Sequence, residues 1–436
     1  MSATADKFIE WVDTLPSTWG AKRLGSLASV KARLGWKGLK AEEYVDAGYI
    51  FLSTPNLKGD EIDFENVNYI TKARYDESPE IMLRVGDVLM VKDGATLGIV
   101  ALVKNLPAPA TLNGSTAVIR TTGECDSRFL CHWLRSKGVQ QLIEKMKGGM
   151  GVPHLFQSDL RRFPVALPSL TEQRRIAGYL DEATGKVDRL VALRRRQMEL
   201  LREQRAALIQ QAVTRGLNPN APLKDSGLTW LGQIPKHWEV KKLRHLVRVG
   251  NGSTPSRTNA EYWTNGKYPW LNSSVVNQDV VSEADQFVTE LALSECHLPK
   301  VQPESLLVGL TGEGRTRGMC ALLKFEATIN QHLAYVTITK GILPRYLQLL
   351  FTGIYSVLRA IGDGEGSTKG ALTCEDLKQL KIPLPSISEQ QAILEHLHAQ
   401  TTNVDKTIAA YSRQIELLTE YRAALIHECV TGQLAV

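Results

Sequence analysis

Mostly hydrophobic residues recur at alternating intervals of four and three along two segments of the chain, which is the spacing of a coiled-coil seam. In the first segment the seam consists of Val187, Val191, Arg194, Met198, Leu201, Arg205, Leu208 and Ala212. In the second it consists of Val404, Ile408, Tyr411, Ile415, Leu418, Arg422, Leu425 and Cys429. Each seam predicts a helix of about 44 residues, or roughly 65 Å. Small domains do not bury such a long stripe, so we expect the helices to pack together as an antiparallel coiled coil.

The two helical segments belong to a longer internal repeat. Residues 167–173 read LPSLTEQ and residues 384–390 read LPSISEQ, an offset of 384 − 167 = 217 positions. The motif L-P-x-x-W at residues 15–19 recurs as I-P-x-x-W at residues 234–238. Self-similarity at a fixed offset is typical of a duplicated structural unit. The chain is therefore predicted to contain two copies of one unit, each a globular part followed by a long helix.

Start and stop signals divide each copy into parts. Ser169-x-x-Glu172 and Ser386-x-x-Glu389 follow prolines and match the capping box of helix N-termini. The first helix is predicted to end at Gly216, before an Asn-Pro-Asn-Ala-Pro linker. The predicted parts are a globular domain at residues 1–165, a central helix at 166–217, a second globular domain at 218–382 and a C-terminal helix at 383–436.

Both globular parts show the mixed pattern of α/β domains. In the first, β-type runs at residues 85–91 and 98–103 are bounded by turn residues, and an amphipathic helix is predicted over 129–146. In the second, residues 306–308 and 346–361 occupy the corresponding places. The predicted fold class is α+β, with two mixed α/β domains separated by the two long helices and related by an internal pseudo-twofold repeat.

Composition narrows the possible functions. The 436-residue chain carries a formal net charge of +6, which permits a polyanionic partner without identifying one. Its six cysteines include no C-x-x-C pair, and its nine histidines form no cluster with them. We therefore expect reduced thiols, a cytoplasmic location and no metal. No apolar run approaches the roughly 18 residues of a membrane span, so we expect no membrane association.

The sequence lacks the motifs of the catalytic functions considered. It contains no Asn/Asp-Pro-Pro-Tyr/Phe tetrapeptide for methyl transfer to an exocyclic amine, and no G-x-x-x-x-G-K-[ST] phosphate loop. Gly312, Gly314 and Gly318 have the wrong spacing for a dinucleotide-binding loop. The sequence therefore predicts a non-catalytic protein without a cofactor of its own.

The repeated motifs resemble those of one protein family. L-P-x-[LI]-[ST]-E-Q, E-L-L-x-E-x-R-A-A-L-I and W-x-x-x-[LI]-P-x-x-W-x-x-x-x-L are similar to motifs of type I restriction–modification specificity (S) subunits, across essentially the whole chain. The resemblance implies two target-recognition domains, each reading one half of a split sequence in double-stranded DNA. It implies that the helices act as spacers and contact two methyltransferase (M) subunits. Restriction (R) subunits would join through the M2S core, with S-adenosylmethionine, ATP and Mg bound by these partners.

Candidate DNA contacts are polar and basic residues in loops of the globular parts. Basic side chains neutralise phosphates, whereas arginine, asparagine, serine and threonine also bond to base edges. In the first part the candidates are Lys31, Arg33, Lys37, Lys92, Thr96 and Lys147. In the second they are Asn251, Ser253, Thr254, Arg257, Asn259, Arg315, Arg317 and Lys369. The loops differ between the halves, so we expect two different half-sites separated by unread bases.

Apolar residues outside the seam predict a second contact surface on the helices. Leu200, Ile209, Leu417 and Ile426 would be exposed in a simple two-helix contact. Both copies carry this pattern, so we expect two equivalent M subunits to pack there as further helices of a bundle. The alternative is that these residues pack on the globular parts of the same chain.

Three other functional interpretations stay open from the sequence. The chain could be the specificity subunit of a system that cuts on both sides of its site. It could instead be a stand-alone enzyme with an unrecognised active site. The third alternative is a coiled-coil adaptor without a role in DNA binding.

Overall fold

The computed structural model describes residues 15–33, 39–146, 153–312, 314–361 and 370–436. The chain divides into two compact units: unit 1 comprises Met1–Arg194 and Ser412–Val436, and unit 2 comprises Arg195–Tyr411. The divisions fall at equivalent places of the repeat, because 411 − 194 = 217. Each unit therefore contains one globular part, the first portion of the helix that follows it and the last portion of the other long helix.

Among the described residues, unit 1 has a four-stranded antiparallel sheet, a three-stranded sheet with one parallel strand pair, two two-stranded sheets, and helices between the strands. Its strands are β1 (Gly20–Arg23), β2 (Ala28–Lys31), β3 (Tyr49–Leu52), β4 (Leu57–Lys58), β5 (Glu61–Ile62), β6 (Asn68–Ile70), β7 (Val88–Val91), β8 (Val100–Leu102), β9 (Ala110–Leu112), β10 (Thr116–Thr121) and β11 (Pro164–Leu167). Its short helices are α1 (Leu24–Leu27), α2 (Lys72–Asp76), α3 (Ser127–Arg135), α4 (Lys137–Met146) and α5 (Gln157–Arg162). The long helix α6 (Leu170–Arg215) begins in this unit.

Unit 2 repeats this plan. Its strands are β12 (Leu223–Asp225), β13 (Gln233–Pro235), β14 (Glu239–Lys242), β15 (Val247–Asn251), β16 (Tyr268–Leu271), β17 (Val280–Val281), β18 (Gln286–Val288), β19 (Leu306–Gly309), β20 (Cys320–Leu323), β21 (Thr328–Ile329), β22 (Leu333–Ile338) and β23 (Lys381–Leu384). Its short helices are α7 (Glu290–Glu295), α8 (Pro344–Gly353), α9 (Tyr355–Ile361) and α10 (Cys374–Gln379). The second long helix, α11 (Ile387–Val430), begins here.

Corresponding strands pair in the same order in the two units. The order β2-β10-β7-β8 in unit 1 matches β15-β22-β19-β20 in unit 2, where β17 adds a fifth strand. The order β6-β3-β9 matches β18-β16-β21, and each of these sheets contains one parallel pair. The predicted α+β class is therefore confirmed, and the two globular parts have corresponding sheet topologies.

The two long helices are confirmed close to their predicted bounds. Helix α6 has 46 residues and α11 has 44 residues. Helix α6 is followed by Gly216, whose φ of +72° is a left-handed conformation that favours glycine. A Cβ at Gly216 would lie 3.1 Å from a ring atom of Trp238, so the end of the helix also packs closely. Gly432, also with φ of +72°, lies two residues after the end of α11.

Two shorter predicted elements differ from the structure. The helix predicted over 129–146 is two helices, because Ser136 adopts extended backbone with φ −63° and ψ 151°. Its counterpart is likewise divided between α8 and α9 at Ile354. The strand predicted from Val85 begins at Val88, since Gly86 has a positive φ of +92° and turns the chain.

The glutamine of each E-Q motif joins a long helix to its globular part. Gln173 is fully buried: its Oε1 accepts the Asp126 N–H at 2.8 Å, and its Nε2 donates to the carbonyls of Glu124 at 3.2 Å and Pro168 at 2.9 Å. In unit 2, Gln390 makes the equivalent bonds with the Leu343 N–H at 2.8 Å and the carbonyls of Gly341 at 3.1 Å and Pro385 at 3.0 Å. The repeated motif thus has a repeated structural role.

The long helices contribute side chains to the cores of both units. In unit 1, Ile426 of α11 lies in the same buried cluster as Trp133, and in unit 2 Ile209 of α6 lies in the cluster of Tyr346. Ile209 is 1% exposed and Ile426 is 2% exposed. The prediction that these two isoleucines face a partner is therefore wrong, because each packs on the globular part of its own unit.

An aspartate–arginine ion pair links the two long helices within each unit. In unit 1, Asp188 Oδ1 lies 2.9 Å from Arg422 Nε, and in unit 2, Asp405 Oδ1 lies 3.0 Å from Arg205 Nε. The pairs are equivalent, because 405 − 188 and 422 − 205 both equal 217. They differ in that Arg422 also contacts Asp60, and burial lowers the pKa of its guanidinium.

We expect alanine at these two arginines to have unequal effects on stability. Arg422→Ala leaves the partly buried Asp60 and the more exposed Asp188 without this partner and should lower the free energy of unfolding by about 2–3 kcal/mol. Arg205→Ala removes a more exposed pair and should cost less than about 1 kcal/mol. Urea unfolding of the purified single variants, followed by circular dichroism, measures the difference. Equal losses would contradict the distinction between the two sites.

Candidate nucleic-acid interface

In unit 2, hydrogen bonds attach the loop that follows β15 to the end of the parallel strand pair β16–β21. The Ser253 N–H donates to the Ile329 carbonyl at the end of β21, at 3.1 Å. The indole N–H of Trp270 in β16 donates to the Ser253 carbonyl at 3.1 Å, and that of Trp263 donates to the Ser256 carbonyl at 3.0 Å. These bonds hold the backbone of the loop that carries half of the predicted contacts in the second globular part.

Arg257 is exposed on this loop with its side chain already oriented. Its guanidinium carbon lies 3.8 Å from the ring centroid of Trp263 and 4.9 Å from that of Trp270. The two indole planes meet at 84°, so the guanidinium occupies the corner between them. Its Nη2 group donates to Gln286 Oε1 at 2.6 Å. Stacking and one hydrogen bond therefore restrict a side chain that remains accessible.

A series of threonine, glutamine and histidine side chains within hydrogen-bond distance of one another lies beside the loop. The Thr254 hydroxyl donates to Gln331 Oε1 at 2.6 Å, and Gln331 Nε2 lies 3.3 Å from His332 Nε2. His332 Nδ1 lies 2.9 Å from the Thr311 hydroxyl. These residues follow β15, β21 and β19, so the structure brings three loops together. The sequence did not predict Gln331 or His332; the one signal nearby was the alignment of Asn330 with its counterpart in the first half.

The other predicted DNA contacts of unit 2 differ in how exposed their side chains are. Asn251 and Arg315 are exposed. Asn259 accepts the Glu261 N–H at 3.1 Å and so caps the turn that leads to Trp263. Arg317 is only 5% exposed, which corrects its prediction as an exposed loop cation.

In unit 1 the corresponding loop follows β2. Lys31 is exposed at the end of this strand, whereas Lys37 lies outside the described residues. Arg33 is 7% exposed, its Nη2 donates to the Arg74 carbonyl at 3.4 Å, and burial lowers the pKa of its guanidinium. Its prediction as an exposed DNA contact is thus corrected, because the side chain turns into the domain.

Both units nevertheless place an arginine near the same strand position. Phe51 pairs with Thr111, and Trp270 pairs with Thr328, so Phe51 and Trp270 correspond (328 − 111 = 217). The Arg33 guanidinium carbon lies 6.0 Å from the Phe51 ring centroid, in a cavity of about 220 Å³ that Tyr44, Ser53 and Asn113 also line. The arrangement is duplicated, but the arginine is buried in unit 1 and exposed in unit 2.

The remaining candidates of the first half are less accessible than predicted. Lys92 is 9% exposed and its ammonium lies 2.9 Å from Asp93 Oδ2, while Asp93 also contacts His154. The prediction of Lys92 as an exposed cation is corrected, whereas Thr96 in the following turn is exposed. Lys147, and Lys369 of the second half, lie outside the described residues.

A separate cavity of about 300 Å³ in unit 1 is lined by charged residues of α3 and α6. His132 Nε2 lies 2.9 Å from Asp181, and desolvation lowers the pKa of His132. Arg135 lies 2.7 Å from Asp60. These four side chains therefore bond one another across the cavity, through the His132–Asp181 contact and the Arg135–Asp60 ion pair. Within the described part of the chain, no group of His, Cys, Asp and Glu side chains is arranged to hold a metal ion.

Apolar side chains are also exposed on the long helices. Leu200 in unit 2 and Leu417 in unit 1 are each 47% exposed, in agreement with their expected exposure. In unit 1, Leu193 is 53% exposed and Tyr421 is 55% exposed. Tyr421 is four residues after Leu417 and therefore shares its helix face. The sequence prediction omitted Leu193 and Tyr421, because their counterparts Ala410 and Gln204 do not repeat the pattern.

Both halves of the chain match one protein family. The type I restriction modification DNA specificity domain matches residues 16–197 and again residues 235–417. This chain belongs to that family. The resemblance that the repeated motifs indicated is confirmed, and each copy of the specificity domain spans one globular part and part of the following helix.

Relatives and solved structures of this specificity family match nearly the full length of the chain. The MjaIX specificity subunit of Methanocaldococcus jannaschii is 25% identical over 98% of this chain and 95% of its own. The EcoKI specificity subunit of Escherichia coli is 23% identical over 96% and 90%. A chain from a structure of type I restriction–modification complex assembly has a TM-score of 0.72 and 19% identity, over 96% of this chain and 99% of that one. The HsdS subunit of Thermoanaerobacter tengcongensis has a TM-score of 0.51 and 18% identity, over 96% and 98%.

Within the described residues, no helix is both long enough and apolar enough to cross a bilayer.

Proposed function

We propose that the chain is the DNA-recognition subunit of a type I restriction–modification complex and reads a bipartite target in double-stranded DNA. The observation that carries this proposal is the duplicated specificity domain, with corresponding sheets but different loop surfaces. Unit 2 exposes Arg257 on two tryptophans, whereas unit 1 buries the corresponding Arg33. Similar scaffolds with different surfaces suit two different half-sites.

Partner subunits supply catalysis in this proposal. The sequence lacks the methyltransferase tetrapeptide and the phosphate loop, and the MjaIX and EcoKI relatives are both named as specificity subunits. Two M subunits would bind S-adenosylmethionine, and R subunits that join the M2S core would use ATP and Mg. The complex would act on DNA in the cytoplasm, where the free cysteines stay reduced.

The long helices have two roles in this proposal. As an antiparallel pair with pseudo-twofold symmetry, they set the separation of the half-sites and hold the M subunits. The repeated aspartate–arginine pair supports this relation, and exposed Leu200 and Leu417 support a partner-facing surface. The target-recognition domains are then residues 1–165 and 218–382, and the spacer helices are residues 166–217 and 383–436.

Methylome sequencing tests the proposed function. Cells that carry the chain with its M partner should methylate two short, different half-sites separated by unread bases, and cells with the M partner alone should not. An uninterrupted motif would contradict the bipartite proposal, and identical inverted half-sites would contradict two different reading surfaces. Absence of any chain-dependent motif, together with no DNA shift by the purified complex, would favour the adaptor interpretation.

A further inference from the structure

We infer that Arg257 is a specificity-determining residue that reads a guanine in the major groove of one half-site. The inference rests on the proposed function, because it requires DNA against the loop that follows β15. It goes further by assigning one base type to one side chain.

The geometry of Arg257 matches what guanine presents. In the major groove guanine offers two acceptors, O6 and N7, which an arginine fork bonds in parallel. Among the described residues, Arg257 has its hydrogen bond with Gln286, through Nη2. The rest of the exposed fork is available to a ligand, and the guanidinium carbon is held 3.8 Å from the ring centroid of Trp263.

The surroundings are built to hold this one side chain in place. The guanidinium of Arg257 lies beside the rings of both Trp263 and Trp270, and both tryptophans donate their indole N–H groups to carbonyls of the same loop. The backbone and the side chain are therefore fixed together. An arginine ordered before binding loses less conformational entropy when it meets a base. Lysine has no planar group to stack in this corner and bonds as a point charge.

The neighbours favour a base over a phosphate as the ligand. Neutralisation of phosphates by lysine and arginine supplies the sequence-independent part of the affinity for DNA. The adjacent series Thr254, Gln331, His332 and Thr311 contains neither lysine nor arginine. Threonine hydroxyls and glutamine amides are groups that bond base edges.

Variants of the intact chain with its M subunits test the inference. We expect Arg257→Gln to remove the preference for guanine at one position of one half-site, with a loss of about tenfold to a hundredfold in discrimination. The other half-site should be unchanged, which shows that the subunit has folded and assembled. Arg244→Gln is the matched control, because Arg244 is exposed on the turn that precedes β15. Methylome sequencing reads both positions.

Base analogues give a second test, which begins with the wild-type complex. In a binding assay with the wild-type complex, 7-deazaguanine at the assigned position should weaken binding about tenfold, because it lacks the N7 acceptor. Inosine keeps O6 and N7 and should bind like guanine. With Arg257→Gln, 7-deazaguanine should have no further effect.

The possible failures are distinguishable. If the wild-type complex methylates no split motif, the proposed function itself fails. If a split motif is found but Arg257→Gln keeps all guanine preferences, or weakens binding equally on every sequence, the inference is overturned and the proposed function stands. If that variant does not assemble, insensitivity of every guanine to 7-deazaguanine in the wild-type complex overturns it.

Discussion

Replacing Leu200 and Leu417 together with glutamate should abolish co-purification of the chain with its M subunits. Both leucines are half exposed at equivalent positions of the long helices, and their apolar surface is available to a partner. A glutamate buried in such a contact lacks a partner charge and costs about 3 kcal/mol or more at each site. Affinity purification followed by mass measurement of the complex counts the M subunits.

The single variants should differ in severity. Leu417 has exposed Tyr421 on the same face, whereas the counterpart of Tyr421 beside Leu200 is Gln204. A larger apolar surface contributes more to binding, so Leu417→Glu should weaken assembly more than Leu200→Glu. A smaller effect of Leu417→Glu would contradict this ranking.

Equivalent exposed alanines provide the control for the double variant. Ala206 and Ala423 lie six residues after Leu200 and Leu417, or about 120° around the helix at 3.6 residues per turn. Ala206→Glu together with Ala423→Glu adds the same charge on another face and should leave assembly intact. Two M subunits retained by the leucine variant, or lost equally by the alanine variant, would show that the assigned surface is wrong.

The second large effect is expected at the buried glutamines that join each long helix to its globular part. Gln173→Ala removes three hydrogen bonds and leaves the Asp126 N–H and two carbonyls without this partner. A buried polar group left unpaired costs about 1–3 kcal/mol, so the variant should lose about 3 kcal/mol or more of unfolding free energy. Gln390→Ala should have a similar effect on unit 2, because its bonds are equivalent.

Urea unfolding and limited proteolysis measure this effect. Gln391→Ala is the control, since Gln391 is the exposed neighbour of Gln390 and bonds only across one helical turn, to Glu395, among the described residues. The control should lie within about 0.5 kcal/mol of the unsubstituted chain. A Gln390→Ala loss as small as that of the control would contradict the structural role of the motif.

The sequence predicted the duplicated plan, the long helices and the family with good accuracy. A helical seam is a local, periodic signal, so the bounds of α6 and α11 follow from spacing and capping residues. The offset of 217 residues aligned the two copies without any structural information. The α+β class followed from the alternation of short apolar runs and amphipathic segments.

The tertiary structure decided which side of each helix and which residues of each loop are accessible. Ile209 and Leu200 looked alike off the seam, but only Ile209 meets a globular part, through contacts distant in sequence. Arg33 and Arg257 both follow the first strand of a sheet, and the surrounding packing buries one and stacks the other on tryptophans. Sequence periodicity records the position of a side chain around its own helix or strand. The accessibility of that side chain depends on packing against elements far apart in the chain, and a local sequence pattern does not contain this information.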